Sequence, residues 1–332
     1  MIATPHDGHA PQRRRILLAA GGLGLALASA GAQAQAYPSK PVRIMVGYSA
    51  GGGVDAMARL LAQGLSGVLG QQVLVENRAG ASGVIAADAV AKSAPDGYTL
   101  LLGESGLLIA QHLQSKMPVD PIKSFAPVAG LFTSPLMVVA SNSFPARTPQ
   151  ELVRELKANP GRYSYATSGV GTVHHLGFEM LKGRSGAFVV HIPYRGAAQI
   201  VPDIVGGQVP LGVVSATAGI AQAKVGRLRA IGMMSPVRLP GAENVPPLAD
   251  ALPGFNVAPR LMLLAPAGTP PAIVERLSEA VRTVLSSPET MQSASTQGAV
   301  PAYLPAAALA TDLVRESAEW ARVIKDQKIS AE

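Results

Sequence analysis

Glycine and small hydroxyl side chains crowd two places in this 332-residue chain, in a spacing that suits an anion. In the first, Tyr48-Ser49-Ala50-Gly51-Gly52-Gly53-Val54-Asp55 runs from the end of an apolar stretch into an amphipathic one. In the second, Ala166-Thr167-Ser168-Gly169-Val170-Gly171-Thr172 does the same about 120 residues later. Read as strand, loop and helix, each presents backbone N–H groups at a helix N-terminus, where unpaired donors and the helix dipole favour negative charge. Glycine lets a ligand approach that backbone closely. One such loop serves packing as often as binding. Two in different halves of a chain suggest a pair facing each other across a cleft, holding one carboxylate or two. The candidate contacts are Tyr48, Ser49, Ala50, Gly51, Gly52 and Asp55 on the first loop, and Ser168, Gly169 and Thr172 on the second. Asp55 has a plainer alternative, since an acidic residue in a first helical turn is favoured by the dipole alone. Glu104, in Gly103-Glu104-Ser105-Gly106, either pairs with an amino group on a ligand or caps a helix. Ser105 beside it is a further candidate contact.

Enzyme chemistry would leave other marks. The chain has no Gly-x-Ser-x-Gly elbow for an exposed nucleophile, and no Gly-x-x-x-x-Gly-Lys-Ser/Thr to cradle nucleotide phosphates. His174 and His175 are adjacent, so on a helix they point about 100° apart rather than to one metal. No His-Glu-x-x-His and no cysteine completes a site. The sequence therefore predicts no catalytic residue, no metal and no cofactor. The histidine pair reads as helix-start packing or a single polar contact.

The elements around these loops alternate short apolar runs with amphipathic stretches, which predicts βαβ units and mainly parallel sheets. Val42–Gly47, Gln72–Asn77, Tyr98–Leu102 and Tyr163–Thr167 read as strands. Val54–Leu69, Ser82–Lys92, Thr172–Lys182 and a stretch from Pro270-Pro271 to about Ser286 read as helices. Thr148–Ala158 is a further helix, with Thr148 as N-cap, Pro149 at the first position and Pro160-Gly161 beyond its end.

The first 36 residues stand apart. Arg13-Arg14-Arg15, an apolar run from Ile16 to about Ala30 and the small triplet Ala34-Gln35-Ala36 follow the order of an export signal. The run is shorter than the roughly 20 residues that span a bilayer. It predicts cleavage after Ala36, by the Sec or the twin-arginine route. Without cysteine there is neither a disulfide framework nor a lipid-bearing Cys, so the product is expected free in the periplasm. Removing the leader takes away three arginines and Asp7. The 28 basic and 21 acidic residues become 25 and 20, a net charge of +5. That balance suits an anionic ligand, and no cluster of Lys/Arg with aromatics points to nucleic acid.

Longer blocks carry a family resemblance. Tyr37-Pro38-Ser39-Lys40-Pro41-Val42-Arg43-Ile44-Met45-Val46, the loop ending at Asp55, and Val75-Glu76-Asn77-Arg78-Ala79-Gly80-Ala81-Ser82-Gly83 resemble the Bug family. Its members are the extracytoplasmic solute receptors of tripartite tricarboxylate transport systems. Ala94–Leu100, His191–Gly196, Gly206–Val209 and Leu264–Pro270 extend the resemblance over essentially all the chain after the leader. It implies an α/β, two-lobed type II periplasmic-binding-protein fold with a hinge of two crossover strands. Lobe 1 would be 37–139 plus 263–332, and lobe 2 140–262. It also implies a monomer that binds a di- or tricarboxylate, an acidic amino acid or an aromatic acid at loops matching Tyr48–Asp55 and Ser168–Thr172, partly through water, and hands it to membrane permease subunits. Three departures stand out. Ser49-Ala50 replace a pair of prolines, Val214-Ser215 replace a Phe-Asp pair, and Pro259-Arg260 replace Ser-Trp in the second crossover. Arg260 could add a charge-assisted bond to an acidic ligand or simply meet solvent. The alternatives from other classes are a secreted hydrolase of carboxylate esters and a receptor that presents its ligand to a sensor protein.

Overall fold

The computed structural model describes residues 1–2, 37–194, 197, 199–236, 239 and 242–330. The expected leader beyond Ile2 and its cleavage site lie outside them, as do Arg195 and Gly196 of the His191–Gly196 block. The chain divides into two units, Met1–Ser39 and Lys40–Glu332. The first is described only at Met1, Ile2 and Tyr37–Ser39, and all strands and helices of the described residues belong to the second.

Eleven strands among the described residues form two sheets. The first holds β1 (Val42–Val46), β2 (Val73–Asn77), β3 (Thr99–Glu104), β4 (Phe125–Thr133), β10 (Arg260–Pro266) and β11 (Val300–Pro305), in the order β11-β4-β10-β3-β1-β2. The second holds β5 (Leu136–Ala140), β6 (Ser164–Thr167), β7 (Val190–Pro193), β8 (Leu211–Ser215) and β9 (Arg229–Met233), in the order β7-β6-β8-β5-β9. The pairs β1–β2, β1–β3, β6–β7 and β6–β8 are parallel, as a βαβ reading requires. Every pair made by β4, β5 or β10 is antiparallel. The sheets are thus mixed rather than mainly parallel, because the strands that pass between them run against those built from βαβ units.

The chain changes sheet at Ser134-Pro135, between β4 and β5, and again before β10. The two crossings touch: the Ser134 N–H donates to the Pro259 carbonyl at 2.9 Å.

The five helices read from the sequence all form, and five more join them among the described residues. α1 (Gly53–Leu69) buries Met57, Ala58, Leu61, Leu65 and Leu69, one face of a 3.6-residue repeat, and stops at Gly70 in the left-handed region. α2 (Val84–Ala91) starts later than the sequence suggests, because Ala81–Gly83 forms a separate single turn with Ser82 at φ 55°. α3 (Gly106–Leu113) follows β3 directly. α4 (Pro149–Ala158) has the expected cap: the Thr148 hydroxyl accepts the Glu151 N–H at 3.2 Å, and the Glu151 carboxylate accepts the Arg147 N–H at 2.7 Å. α5 (Val173–Ser185), α6 (Ile200–Val205) and α7 (Ala216–Lys224) cover the second sheet. α8 (Pro271–Leu285) and α9 (Pro288–Thr296) precede β11, and α10 (Ala306–Asp326) packs on α3 and also on α5. One long helix of the first lobe therefore leans on the second.

Candidate functional site

In each sheet the chain order reverses beside one strand, and the two glycine loops leave the carboxyl ends of those strands. β1 lies between β2 and β3, and the first loop follows it. β6 lies between β7 and β8, and the second follows it. Helices that depart to opposite faces on either side of such a strand leave a crevice at its carboxyl end. The two loops thus occupy the corresponding place in both lobes.

The first loop is pinned from beneath. The Asp55 carboxylate accepts the Gly51 N–H at 2.9 Å, the Asn77 side-chain amide at 2.9 Å and Arg59 Nε at 2.9 Å. The same Asn77 amide donates to the Tyr48 carbonyl at 3.1 Å. The Arg59 bond, with the Gly51 and Asn77 donors, holds the Asp55 pKa down at about 2. Asp55 is 2% exposed and its carboxylate is taken up by these donors, so it shapes the loop. Above it, Ser49, Ala50, Gly51, Gly52 and Gly53 are all exposed. Gly52 is the N-cap of α1, and no side chain caps the helix. The N–H groups of Gly53, Val54 and Asp55 open the helix with no carbonyl of its own to bond. A bare helix start on an exposed loop is chemically suited to an anion.

The second loop spends more of its donors internally. The Thr172 hydroxyl accepts the His175 N–H at 3.3 Å and donates to the Gly169 carbonyl at 2.8 Å. The Gly171 N–H donates to His175 Nδ1 at 3.3 Å, and Ser168 Oγ lies 2.9 Å from His174 Nδ1. Thr172 is therefore the cap of α5, not a free contact. Ser168 and Gly169 are half-buried at the rim.

Beneath this loop three imidazoles collect. His175 stacks on His191 of β7 at 3.9 Å, His191 stacks on Tyr165, and Tyr165 stacks on Phe178 at 3.8 Å. The Thr167 hydroxyl lies 2.6 Å from His191 Nε2. Burial holds His174, His175 and His191 at about 4, so all three are neutral near pH 7. The adjacent pair is thus loop support, as its spacing suggests. His191 was not foreseen, because only the β6–β7 pairing brings it there.

Two expected contacts lie elsewhere. Ser105 is fully buried, and its hydroxyl accepts the Arg260 N–H at 3.0 Å. Arg260 is only partly exposed, and its guanidinium lies 2.7 Å from the Asp312 carboxylate and 3.9 Å from that of Glu316, both on α10. A guanidinium held between two carboxylates has little left for an acidic ligand. Tyr48 is half-buried, and its hydroxyl is spent on Glu104 Oε2 at 2.6 Å.

No group of three His, Cys, Asp or Glu among the described residues could hold a metal ion. Cavities of about 480 Å³ between α5 and α10 and about 610 Å³ beside α8 and β11 are not lined by either loop.

The family model for the tripartite tricarboxylate transporter family receptor matches residues 57–329. This chain belongs to that receptor family. Protein BugT of Bordetella pertussis is 34% identical over 87% of this chain and 90% of its own. A solved periplasmic transporter is 36% identical over 90% of this chain and all of its own, with a TM-score of 0.75. MatC of Rhodopseudomonas palustris, solved with malate, is 29% identical over 87% of this chain and all of its own, with a TM-score of 0.70. A second R. palustris protein, solved with adipate, is 30% identical over 89% and 99%, with a TM-score of 0.75. The family is one of periplasmic solute-binding receptors, not of enzymes, and its two-lobed α/β fold is the fold seen here. No helix among the described residues is long and apolar enough to cross a membrane.

Proposed function

We propose that this receptor captures a small organic carboxylate between its two lobes and presents it, closed, to the permease of a tripartite tricarboxylate-type transporter. The observation that carries the reading is the uncapped start of α1 on the exposed Ser49–Gly53 loop, at the carboxyl end of the strand where the sheet order reverses. The lobes divide at the crossings, near 134/135 and 259/260, a few residues before the 139/140 and 262/263 drawn from sequence. Contacts come from Ser49 to Gly52 and the helix-start N–H groups on one side, and from Ser168 and Gly169 on the other. Closure turns about the paired crossings, where a few residues absorb the rotation. The adipate and malate of the two relatives fit the same chemistry. The working form is a periplasmic monomer that starts at Tyr37.

Thermal-shift and calorimetric titration with mono-, di- and tricarboxylates tests this, because a ligand of the folded state alone raises the melting temperature. A carboxylate that binds and compacts the protein in small-angle scattering supports the reading. Turnover of carboxylate esters without tight binding of any free acid would overturn it.

A further inference from the structure

Beside the first loop sits a carboxyl group that an anion site alone does not explain. Glu104 ends β3, next to β1 and its loop, and it is only half-buried. Tyr48 donates to its Oε2 at 2.6 Å and the Gly106 N–H donates to the same oxygen at 3.3 Å. Oε1 has no partner among the described residues and is not sealed in the interior. The structure makes room for this arrangement. A Cβ on Gly106 would fall 2.9 Å from Glu104 Oε2 and 3.3 Å from the Tyr48 hydroxyl. Two donors and a glycine thus fix one carboxyl oxygen and leave the other unpaired.

No Lys or Arg among the described residues pairs with Glu104, and the Glu316 charge repels it. Burial pushes the carboxyl above its ordinary range while the Tyr48 and Gly106 bonds oppose the rise. Such a group lacks a cation, since buried carboxylates are stable when paired. A plain dicarboxylate on the α1 start would bring a like charge near it, which costs affinity. A ligand with an ammonium group beside its carboxylate would instead place opposite charges on both.

We propose that Glu104 is a specificity residue of this site, and that its free oxygen pairs with a protonated amine, so the ligand is an amino-carboxylate. Tyr48 is the positioning residue that orients Glu104. This rests on the carboxylate-receptor reading above, and the test separates the two.

The test is calorimetry on matched pairs, L-glutamate against glutarate and 4-aminobutyrate against butyrate, with malate and adipate alongside. In the unaltered protein the amine-bearing member of at least one pair should bind at least tenfold tighter. Glu104→Gln should lose that preference, by tenfold or more, while affinity for the amine-free member holds or improves. Glu104→Asp, which keeps the charge, should retain part of it, and unfolding curves show that both variants fold. If amine-free acids bind as well as their partners, the inference falls and the receptor reading stands. The inference equally falls if amine-free acids bind tighter at low pH and Glu104→Gln removes that gain, for the carboxyl would then be a protonated donor to the anion. If nothing in the panel binds, the carboxylate reading itself falls.

Discussion

Replacing Gly52 tests the first loop with little cost to the fold. Gly52 has φ −80° and ψ 168°, extended backbone that any residue adopts. A Cβ there would meet only the Ser49 carbonyl, at 3.4 Å, so Gly52→Val introduces neither backbone strain nor a hard clash. It also leaves fewer conformations to the unfolded chain, worth roughly 0.4–1 kcal/mol in favour of folding. Stability should therefore stay within about 1 kcal/mol of the starting protein. Binding should not. Branched methyls over the α1 start keep an anion off N–H groups that each contribute about 1.5–3 kcal/mol to a charged partner. Losing one such bond, at about 1.4 kcal/mol per tenfold, weakens the dissociation constant by about 10- to 150-fold. The neighbour supplies the contrast. Gly51 has φ +81°, so Gly51→Val is strained and should lower stability as well. Calorimetry with the best carboxylate, beside denaturant unfolding of both variants, separates site from scaffold. Unchanged affinity in a fully folded Gly52→Val protein would refute the placement of the anion on this loop.

Asp55→Ala should release Gly51 and Asn77 together, loosening the loop and weakening binding. Because its folded pKa of about 2 lies below the ordinary 3.8, its stabilisation is full above pH 4 and is lost as pH falls toward 2, by about 2 kcal/mol in acid unfolding. The three histidines held at about 4 act earlier. The unfolded chain takes up their protons below about pH 6.5 and the folded chain does not, so stability should fall between pH 6.5 and 4. The slope should reach at most about 1.4 kcal/mol per pH unit for each histidine, and removing His175 should make the melting-temperature profile shallower. Arg260→Met should cost about 1–3 kcal/mol in denaturant unfolding, because Asp312 is left with Arg315 and Glu316 with the Trp320 N–H, yet change carboxylate affinity less than threefold. The intact mass of the exported protein should correspond to a chain that begins at Tyr37 and carries no lipid.

Local chemistry was readable where it is local. Thr148, Pro149 and Glu151 announce their helix start, and the glycine loops announce strand ends, because such signals span only a few residues. What could not be read depends on pairing across the chain. Nothing near Asp55 says that Asn77, 22 residues on, will share its carboxylate. Nothing near Arg260 says that α10 will bring Asp312 and Glu316 to it. Ser105 follows Glu104 directly, but β3 turns into α3 there, and one side chain stays half-buried while the next is swallowed. The antiparallel pairs were hidden for the same reason: β4, β5 and β10 look like any other apolar run until their partners are known.

The route of the chain through its two sheets also sets an order of assembly. All five strands of the second sheet lie in one continuous stretch, from Leu136 to Met233. The first sheet cannot be completed so early, because β10 sits in its interior between β3 and β4, and Leu261 pairs with Glu104 across more than 150 residues. Until residue 266 has emerged, β3 and β4 each keep an open edge where β10 belongs, and unpaired edges invite association with other chains. The inserted lobe is free to form first, while the lobe that begins the chain waits for the end of it. A nascent molecule thus passes through a half-built stage with its first glycine loop already made but its β-sheet unfinished, the stage at which a chaperone would have most to protect.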